Sequence, residues 1–224
     1  AARFAVPLDW TYGMMRHFHA PSSRVMVATP SIEADLRARG FRNIGRWSRG
    51  VDLTVFRPDA PADLGLPRPI HLYVGRVAVE KNIAAFLELQ LPGSKVVIGD
   101  GPQMAALKSR HSDTHFLGAK FGADLARHVA AADVFVFPSL TDTFGLVLLE
   151  AMACGLPVAA FPVAGPKDVI REGEVGALDW DLGRAIDRAL ALSREPCRSY
   201  AREFSWEAAT RHSLANLAPI APAA

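Results

Sequence analysis

The sequence predicts an α/β protein built on a doubly wound parallel sheet. Short apolar segments alternate with amphipathic ones along most of the 224 residues, which is typical of strands joined by helical crossovers. Runs such as VFVF are apolar at every position, as expected for strands that helices cover on both faces. Half of the residues are hydrophobic, which is enough to bury a sizeable core.

The chain begins its pattern with a predicted strand, a helix and a second strand. We place the two strands at residues 25–29 and 43–51, and the helix between them at residues 31–40. Ser31 is the expected cap of this helix and Gly40 its expected end.

The alternation becomes regular between residues 68 and 205, which we assign to one main domain. Residues 53–67 before it are rich in Pro and Asp and have no hydrophobic period, which indicates a linker after a first domain in residues 1–52. Residues 206–224 comprise a last helix, WEAATRHSLANL, and a tail, APIAPAA, that we expect to fray. In the main domain the expected strands are IHLYVG, KVVIG, THFLG, VFVFPS and PVAAFP, and the expected helices are NIAAFLEL, QMAALKSR, ADLARHVAAA, LVLLEAMA and VGALDWDLGRAIDRALALS.

Composition argues against several classes of protein. The formal net charge is only +2, which does not indicate a nucleic-acid binder, although a weak attraction to an anionic membrane surface stays open. Two cysteines, of which Cys154 is expected in the core, do not make a disulfide framework, so a reducing, cytoplasmic location is expected. No apolar run approaches the roughly 18 residues that span a bilayer. We see no signal peptide, and because the chain starts without Met we expect a part of a longer protein.

Two histidines in the motif HFH, His17 and His19, raise the question of a metal site. Residues two apart on a helix point to different faces, and no third ligand is apparent. We therefore expect surface or interface residues here and no bound metal.

Ligands of doubly wound sheets bind beyond the carboxyl ends of the strands, so the loops there are the candidate site. The loop GRVAVEKN after the strand IHLYV starts at Gly75 and carries Arg76 and Lys81. Two cations beside the free amides of the following helix could hold a diphosphate. The alternative is a solvated surface pair, in which Glu80 and Lys81 partly neutralise each other.

Two further loops are candidates on weaker grounds. The turn formed by Gly99, Asp100 and Gly101 could let a ligand approach the backbone closely, although a tight turn alone explains its glycines. The end of the strand THFLG, at residues 116–118, could present backbone groups to a flat nucleobase.

The stretch TDTFGLVLLEAMACGLPVAA contains two carboxylates that could bind a ligand. Asp142 precedes the amides of Phe144 and Gly145, where it could also act as an ordinary helix N-cap. Glu150 lies within a helix that is otherwise apolar, so its carboxylate needs a hydrogen-bond donor. The vicinal hydroxyls of a ribose or a sugar ring would be suitable donors. Cations for a diphosphate and carboxylates for hydroxylated rings together predict a site for a nucleoside diphosphate sugar.

The motifs RGVDLTVFRP, YVGRVAVEKN, VVIGDGP, HFLG and PSLTDTFGLVLLEAMACGLPVAA, in this order, resemble the C-terminal half of the retaining GT-B glycosyltransferases of family four, the group 1 glycosyl transferases. The resemblance covers about residues 20–218, and the last motif is similar to the family's two-acid signature with seven residues between the acids. It implies a GT-B fold and a retaining hexosyltransferase that uses a UDP or GDP sugar. The acceptor would be a lipid or a glycan, and the enzyme would be cytoplasmic or peripheral on the inner face of the membrane.

The resemblance also implies roles for individual residues. Arg76 and Lys81 would hold the diphosphate, Glu150 the nucleotide ribose, and the loop at residues 116–118 would face the base. Asp142 would hold the donor sugar, although the family more often has Glu there. Arg76, Lys81 and Asp142 would be the catalytic residues, and no metal or other cofactor is expected. The full set of expected donor-binding residues is Gly75, Arg76, Lys81, Gly99, Asp100, Gly101, Phe116, Leu117, Gly118, Asp142, Phe144, Gly145, Leu146 and Glu150.

By the same resemblance, residues 1–52 would be the end of an acceptor-side domain, and the last helix would cross back to pack on it. The chain would then hold the nucleotide-sugar half of an active site. The alternatives are a truncated module that binds a nucleotide sugar without turnover, or a sugar phosphorylase or nucleotide-sugar epimerase of the same fold. A phosphorylase would usually carry a cofactor lysine motif, which we do not find.

Overall fold

The computed structural model describes residues 7–218, so most of the expected C-terminal tail lies outside the described residues. A small N-terminal unit comes first: helix α1 (Leu8–His19), strand β1 (Val25–Val27), helix α2 (Pro30–Ala38) and strand β2 (Ile44–Arg46). Strands β1 and β2 form a parallel pair. Val27, Phe41 and Ile44 form a small core of their own.

The main sheet has six parallel strands in the order β5-β4-β3-β6-β7-β8. The strand order reverses between β3 and β6, and this confirms the predicted doubly wound fold. The strands are β3 (Ile70–Val74), β4 (Ser94–Ile98), β5 (Thr114–Phe116), β6 (Val134–Phe137), β7 (Val158–Ala160) and β8 (Gly176–Leu178).

Helices cover both faces of the main sheet, because successive strand residues point to opposite sides. Leu72 packs on one face with Leu149 and other residues of α5, α6 and α9. Its neighbour Tyr73 packs on the other face with Phe86 and Ile186, among residues of α3, α4 and α8. The helices are α3 (Ala84–Leu87), α4 (Met104–Arg110), α5 (Gly122–Ala131), α6 (Leu146–Ala153), α7 (Pro166–Val169), α8 (Leu182–Leu190), α9 (Arg194–Ala201) and α10 (Trp206–Ala215).

The expectation that Ser31 caps the second helix is wrong. Thr29 is the N-cap, and its hydroxyl accepts a hydrogen bond from the Ile32 amide, while Pro30 takes the first helical position. Ser31 instead donates its hydroxyl hydrogen to the Asp168 carboxylate at 2.7 Å, which links α2 to α7.

The predicted long helix over residues 175–193 is also wrong, because its first part is the edge strand β8. Gly176 pairs with Val158, and a Cβ at Gly176 would lie 2.5 Å from the Val158 carbonyl oxygen. The Asp181 carboxylate then caps α8 by accepting a hydrogen bond from the Arg184 amide. The predicted strand over residues 43–51 is shortened to β2, and helix α9 was not predicted.

The segment predicted as a linker, residues 53–67, packs against the main core through its apolar side chains. Leu53, Val55, Leu64 and Leu66 are partly buried there. These contacts attach the segment to the main domain along its length. The domain boundaries themselves stay predictions from the sequence.

Helix α10 contacts the N-terminal unit directly. The Asn216 amide donates a hydrogen bond to the Arg46 carbonyl oxygen at 2.7 Å. Trp206 lies so close to Gly50 that a Cβ there would be 2.6 Å from the indole ring. The last helix therefore returns to the N-terminal unit formed by α1, β1, α2 and β2.

Candidate functional site

A cleft of about 540 Å³ opens between the carboxyl ends of β3 and β6, where the strand order reverses. This is the place at which doubly wound sheets bind ligands. The predicted site residues that line the cleft are Gly75, Arg76, Lys81, Asp142, Phe144, Gly145, Leu146 and Glu150. Arg49 and Thr143, which sequence reasoning missed, line it as well.

Hydrogen bonds fix the loop after β3, which carries the cations Arg76 and Lys81. The Tyr73 hydroxyl donates a hydrogen bond to the Arg76 carbonyl oxygen at 2.9 Å. Asn82, in the left-handed conformation with φ 52°, donates to the Pro138 carbonyl oxygen and so ties the loop to the end of β6. Lys81 ends a 3-10 turn, whereas the sequence predicted it near the N-terminus of a longer helix. The helix that follows, α3, has only four residues.

Two ion pairs set the charge of the cleft. The Lys81 ammonium lies 3.0 Å from the Asp142 carboxylate, and both side chains are half-buried. Arg76 lies 3.5 Å from Glu80, and both of these side chains are exposed. The alternative of a solvated surface pair is therefore wrong for Lys81, which contacts Asp142 on the loop after β6 and not Glu80. It holds for Arg76, whose exposed side chain pairs with Glu80.

The N-terminus of α6 forms one wall of the cleft. Gly145 precedes the helix with φ 77°, a conformation that favours glycine. The Leu148 amide donates to the Gly145 carbonyl oxygen at 2.9 Å, while the first two amides of the helix, those of Leu146 and Val147, have no acceptor within it. Asp142 does not cap this helix. One of its oxygens accepts a hydrogen bond from the Phe144 amide at 3.3 Å, and the other faces Lys81. The helix end therefore presents unpaired N–H groups and positive potential to the cleft.

Glu150 lies one turn into α6, half-buried and on the side that faces the cleft. Its neighbours Leu149 and Ala151 are fully buried in the core. Burial raises the pKa of the Glu150 carboxyl, and no charge or hydrogen bond from the described residues opposes that shift. The carboxylate therefore has unused hydrogen-bonding capacity directed at the cleft, as the sequence had suggested.

The GDGP turn lies beside the cleft and borders a second hollow of about 340 Å³. Gly75 and Arg76 line both the cleft and this hollow. Gly99 and Asp100 line this hollow. Gly99 has φ 142°, and a Cβ there would lie 1.8 Å from the Gly75 carbonyl oxygen. A Cβ at Gly101 would likewise meet a backbone oxygen, at 2.4 Å. Close contact between two loops is thus sufficient to explain both glycines.

The segment predicted to face a base, residues 116–118, borders this hollow without lining it. The Gly118 carbonyl oxygen accepts a hydrogen bond from the Gly99 amide at 2.9 Å. The residues that do line the hollow come next in the chain and include Lys120 and the exposed Phe121. An aromatic residue in the loop between β5 and α5 was the signal that sequence reasoning passed over.

The described residues include no group of three or more His, Cys, Asp or Glu side chains that could hold a metal ion. His17 and His19 both lie on α1. Between residues 7 and 218, no helix is long and apolar enough to cross a bilayer.

Comparisons with known proteins identify the family of the chain. The family model described as Glycosyl transferases group 1 matches residues 68–191. A GDP-mannose-dependent alpha-mannosyltransferase of Mycobacterium tuberculosis is 34% identical over 190 residues, which cover 80% of this chain and 50% of the relative. A D-inositol 3-phosphate glycosyltransferase of Mycobacterium bovis is 36% identical over 200 residues, which cover 75% of this chain and 42% of the relative. The chain thus spans about half the length of the curated relatives that it matches.

Solved structures give the same picture of the fold. The sucrose-phosphate synthase of Thermosynechococcus elongatus is 29% identical with a TM-score of 0.77, covering 96% of this chain and 63% of that one. The Anabaena protein HepE in complex with UDP is 18% identical, also with a TM-score of 0.77, covering 94% of this chain and 69% of that one. The match of the family model to more than half of the sequence, together with these relatives, shows that the chain belongs to the group 1 glycosyltransferases of GT-B fold.

Proposed function

We propose that the chain is the donor-binding half of a retaining hexosyltransferase that uses a nucleoside diphosphate sugar. The observation that carries this proposal is the cleft at the strand reversal. It brings two cations, two carboxylates and the N-terminus of α6 together around one space. These are the groups that a diphosphate flanked by two hydroxylated rings requires.

The diphosphate is placed between the loop after β3 and the first turn of α6. Arg76 and Lys81 donate charge-assisted hydrogen bonds to it, and the helix amides add further donors. Lys81 can serve both Asp142 and a phosphate oxygen, because an ammonium group carries several N–H donors. As the bond between the anomeric carbon and the diphosphate breaks, negative charge grows on the diphosphate. The same cations and amides then stabilise it.

The carboxylates take the rings on either side of the diphosphate. Glu150 accepts hydrogen bonds from the vicinal hydroxyls of the ribose, which satisfies its unused acceptors. Asp142, in the loop between β6 and α6, lines the same cleft and accepts hydrogen bonds from the hydroxyls of the hexose. The GDGP turn and the neighbouring hollow then receive the base.

GDP-mannose is the favoured donor, because relatives from two mycobacterial species are named GDP-mannose-dependent alpha-mannosyltransferases. Their identities to this chain are 34% and 37%. GDP-mannose carries an α-linked sugar and the named product linkage is also α, so the same configuration in this chain's reaction would mean retention.

A binding module without turnover is the second candidate, since the chain spans about half of these relatives. An enzyme of the same fold with another reaction, a phosphorylase or an epimerase, is the third. Incubation of the chain with GDP-mannose and a lipid or glycan acceptor separates them. Release of GDP with transfer of mannose to the acceptor supports the transferase, and binding without consumption in the presence of acceptor supports the module. Formation of a sugar 1-phosphate from a glycan and inorganic phosphate supports a phosphorylase, and a change of configuration within the nucleotide sugar supports an epimerase.

The proposed acceptor is a lipid or a glycan, and we infer weak contact with an anionic membrane surface. Helix α1 buries none of its residues and exposes Trp10, Met14 and Phe18, which are four residues apart and so lie along one face. An exposed apolar face on a helix is typical of an interfacial helix. Sedimentation with phosphatidylglycerol vesicles, but not with phosphatidylcholine vesicles, is the expected result.

Calorimetry tests the proposed function at the level of the cleft. The chain should bind GDP or UDP, and it should bind guanosine and uridine far more weakly, because the cations and helix amides act on the diphosphate. Equal affinity for a nucleoside and its diphosphate would refute the assignment of this cleft.

A further inference from the structure

Arg49 lines the same cleft, and none of the roles above uses it. We propose that Arg49 is a third cation for the donor diphosphate, supplied by the segment that precedes the main sheet. This inference rests on the proposed function and adds one further contact to the same site.

The backbone around Arg49 is fixed from outside the main sheet. The next residue, Gly50, packs against Trp206 so closely that a side chain there has no room. Val51 then donates its amide hydrogen to the Phe204 carbonyl oxygen at 2.8 Å. These contacts fix the backbone between β2 and the main domain. The fold therefore sets the direction in which the Arg49 side chain points away from this backbone.

The side chain of Arg49 is positioned but its hydrogen-bonding groups are free. Its guanidinium lies over the Trp47 ring, 4.5 Å from the ring centroid, which is a cation–π distance. Within the part of the chain that the structure describes, the ion pairs include none made by Arg49. A guanidinium held on an aromatic face, with its N–H groups unused, is suited to bidentate binding of a phosphate.

The charge of the cleft is the strongest reason to assign a role to Arg49. Arg76 pairs with Glu80 and Lys81 pairs with Asp142, and Glu150 adds a further carboxylate to the lining. Without another cation, a diphosphate would enter a cleft that has no net positive charge, where repulsion from the carboxylates offsets its attraction to the cations. Arg49 is the third cation in the lining and forms no ion pair among the described residues, so it offsets the remaining carboxylate.

The test replaces Arg49 by Met, which keeps the length of the side chain and removes the charge. The matched control is Arg46→Met, three residues earlier, because Arg46 is exposed and does not line the cleft. GDP, guanosine and inorganic diphosphate are titrated into each variant by calorimetry at low salt, and thermal unfolding checks that each variant folds. A second variant, Arg49→Lys, keeps the charge and loses the planar group.

We expect Arg49→Met to lower the affinity for GDP and for inorganic diphosphate about tenfold or more, as the loss of a charge-assisted hydrogen bond predicts. Guanosine binding should be unchanged, Arg49→Lys should lose less than Arg49→Met, and Arg46→Met should bind like the wild-type chain. Unchanged GDP affinity in Arg49→Met, while the wild-type chain binds GDP, would overturn this inference and leave the proposed function intact. An equal loss for guanosine would overturn it too, because the contact would then be with the nucleoside. Failure of the wild-type chain to bind GDP, UDP or inorganic diphosphate would overturn both.

Discussion

Replacing Glu150 by Leu tests whether its carboxylate serves the ligand or the fold. The side chain is half-buried, its pKa is raised by burial, and no described residue offers it a hydrogen bond. If it binds the ribose, loss of its charge-assisted hydrogen bonds should cost about 1.5–3 kcal/mol of nucleotide binding, roughly a 10- to 150-fold higher Kd. Stability without ligand should stay the same or rise, because a partly desolvated charge is removed.

The binding arm uses GDP and 2′,3′-dideoxy-GDP in calorimetry, with both the wild-type chain and Glu150→Leu. Each single change should weaken binding, and the two together should cost little more than either, because both remove the same contact. The matched control is Glu88→Leu, since Glu88 is exposed and lies away from the cleft. Additive losses would refute the reasoning, since they would show that Glu150 and the ribose hydroxyls do not meet.

The stability arm follows thermal unfolding as a function of pH. The folded pKa of Glu150 lies above its unfolded value, so the folded state binds the proton more tightly and ionisation costs stability. This cost is absent below the unfolded pKa of about 4.3 and is complete above the folded pKa, at about 1.4 kcal/mol for each unit of difference. The advantage of Glu150→Leu over the wild-type chain should therefore grow from pH 4 to pH 7. A difference that stays constant with pH would contradict the raised pKa.

Three further predictions follow from other contacts. Lys81→Ala should weaken GDP binding by about 1.5–3 kcal/mol in calorimetry while guanosine binding changes little, and equal losses for both would remove Lys81 from the phosphate site. Gly99→Ala should lower the free energy of unfolding by at least about 2 kcal/mol in urea titration, because its Cβ would overlap the Gly75 carbonyl oxygen, and a neutral effect would show that the two loops can separate easily. Burial raises the pKa of the Cys154 and Cys197 thiols to about 12, so a thiol reagent at pH 8 should modify them only after unfolding, and rapid labelling of the native chain would contradict their burial.

The sequence determined the fold class, and it predicted the place of the candidate site, through local patterns. Alternation of strands and helices is visible along the chain because each element carries its own hydrophobic period. Parallel strands put all their carboxyl ends at one edge, so the strand pattern alone predicts that the loops with Arg76 and Asp142 meet. The same patterns carried the family resemblance, which the comparisons confirmed.

Tertiary structure decided the partners, because they come from distant parts of the chain. Asp142 pairs with Lys81, 61 residues away, and Arg49 enters the cleft only because Gly50 and Val51 are fixed against the C-terminal elements. Residues 176–178 form a strand because β7 offers them an unpaired edge, although their sequence continues a helical pattern. Local pattern depends on neighbours in sequence, whereas ion pairs and edge strands depend on which surfaces the folded chain brings together.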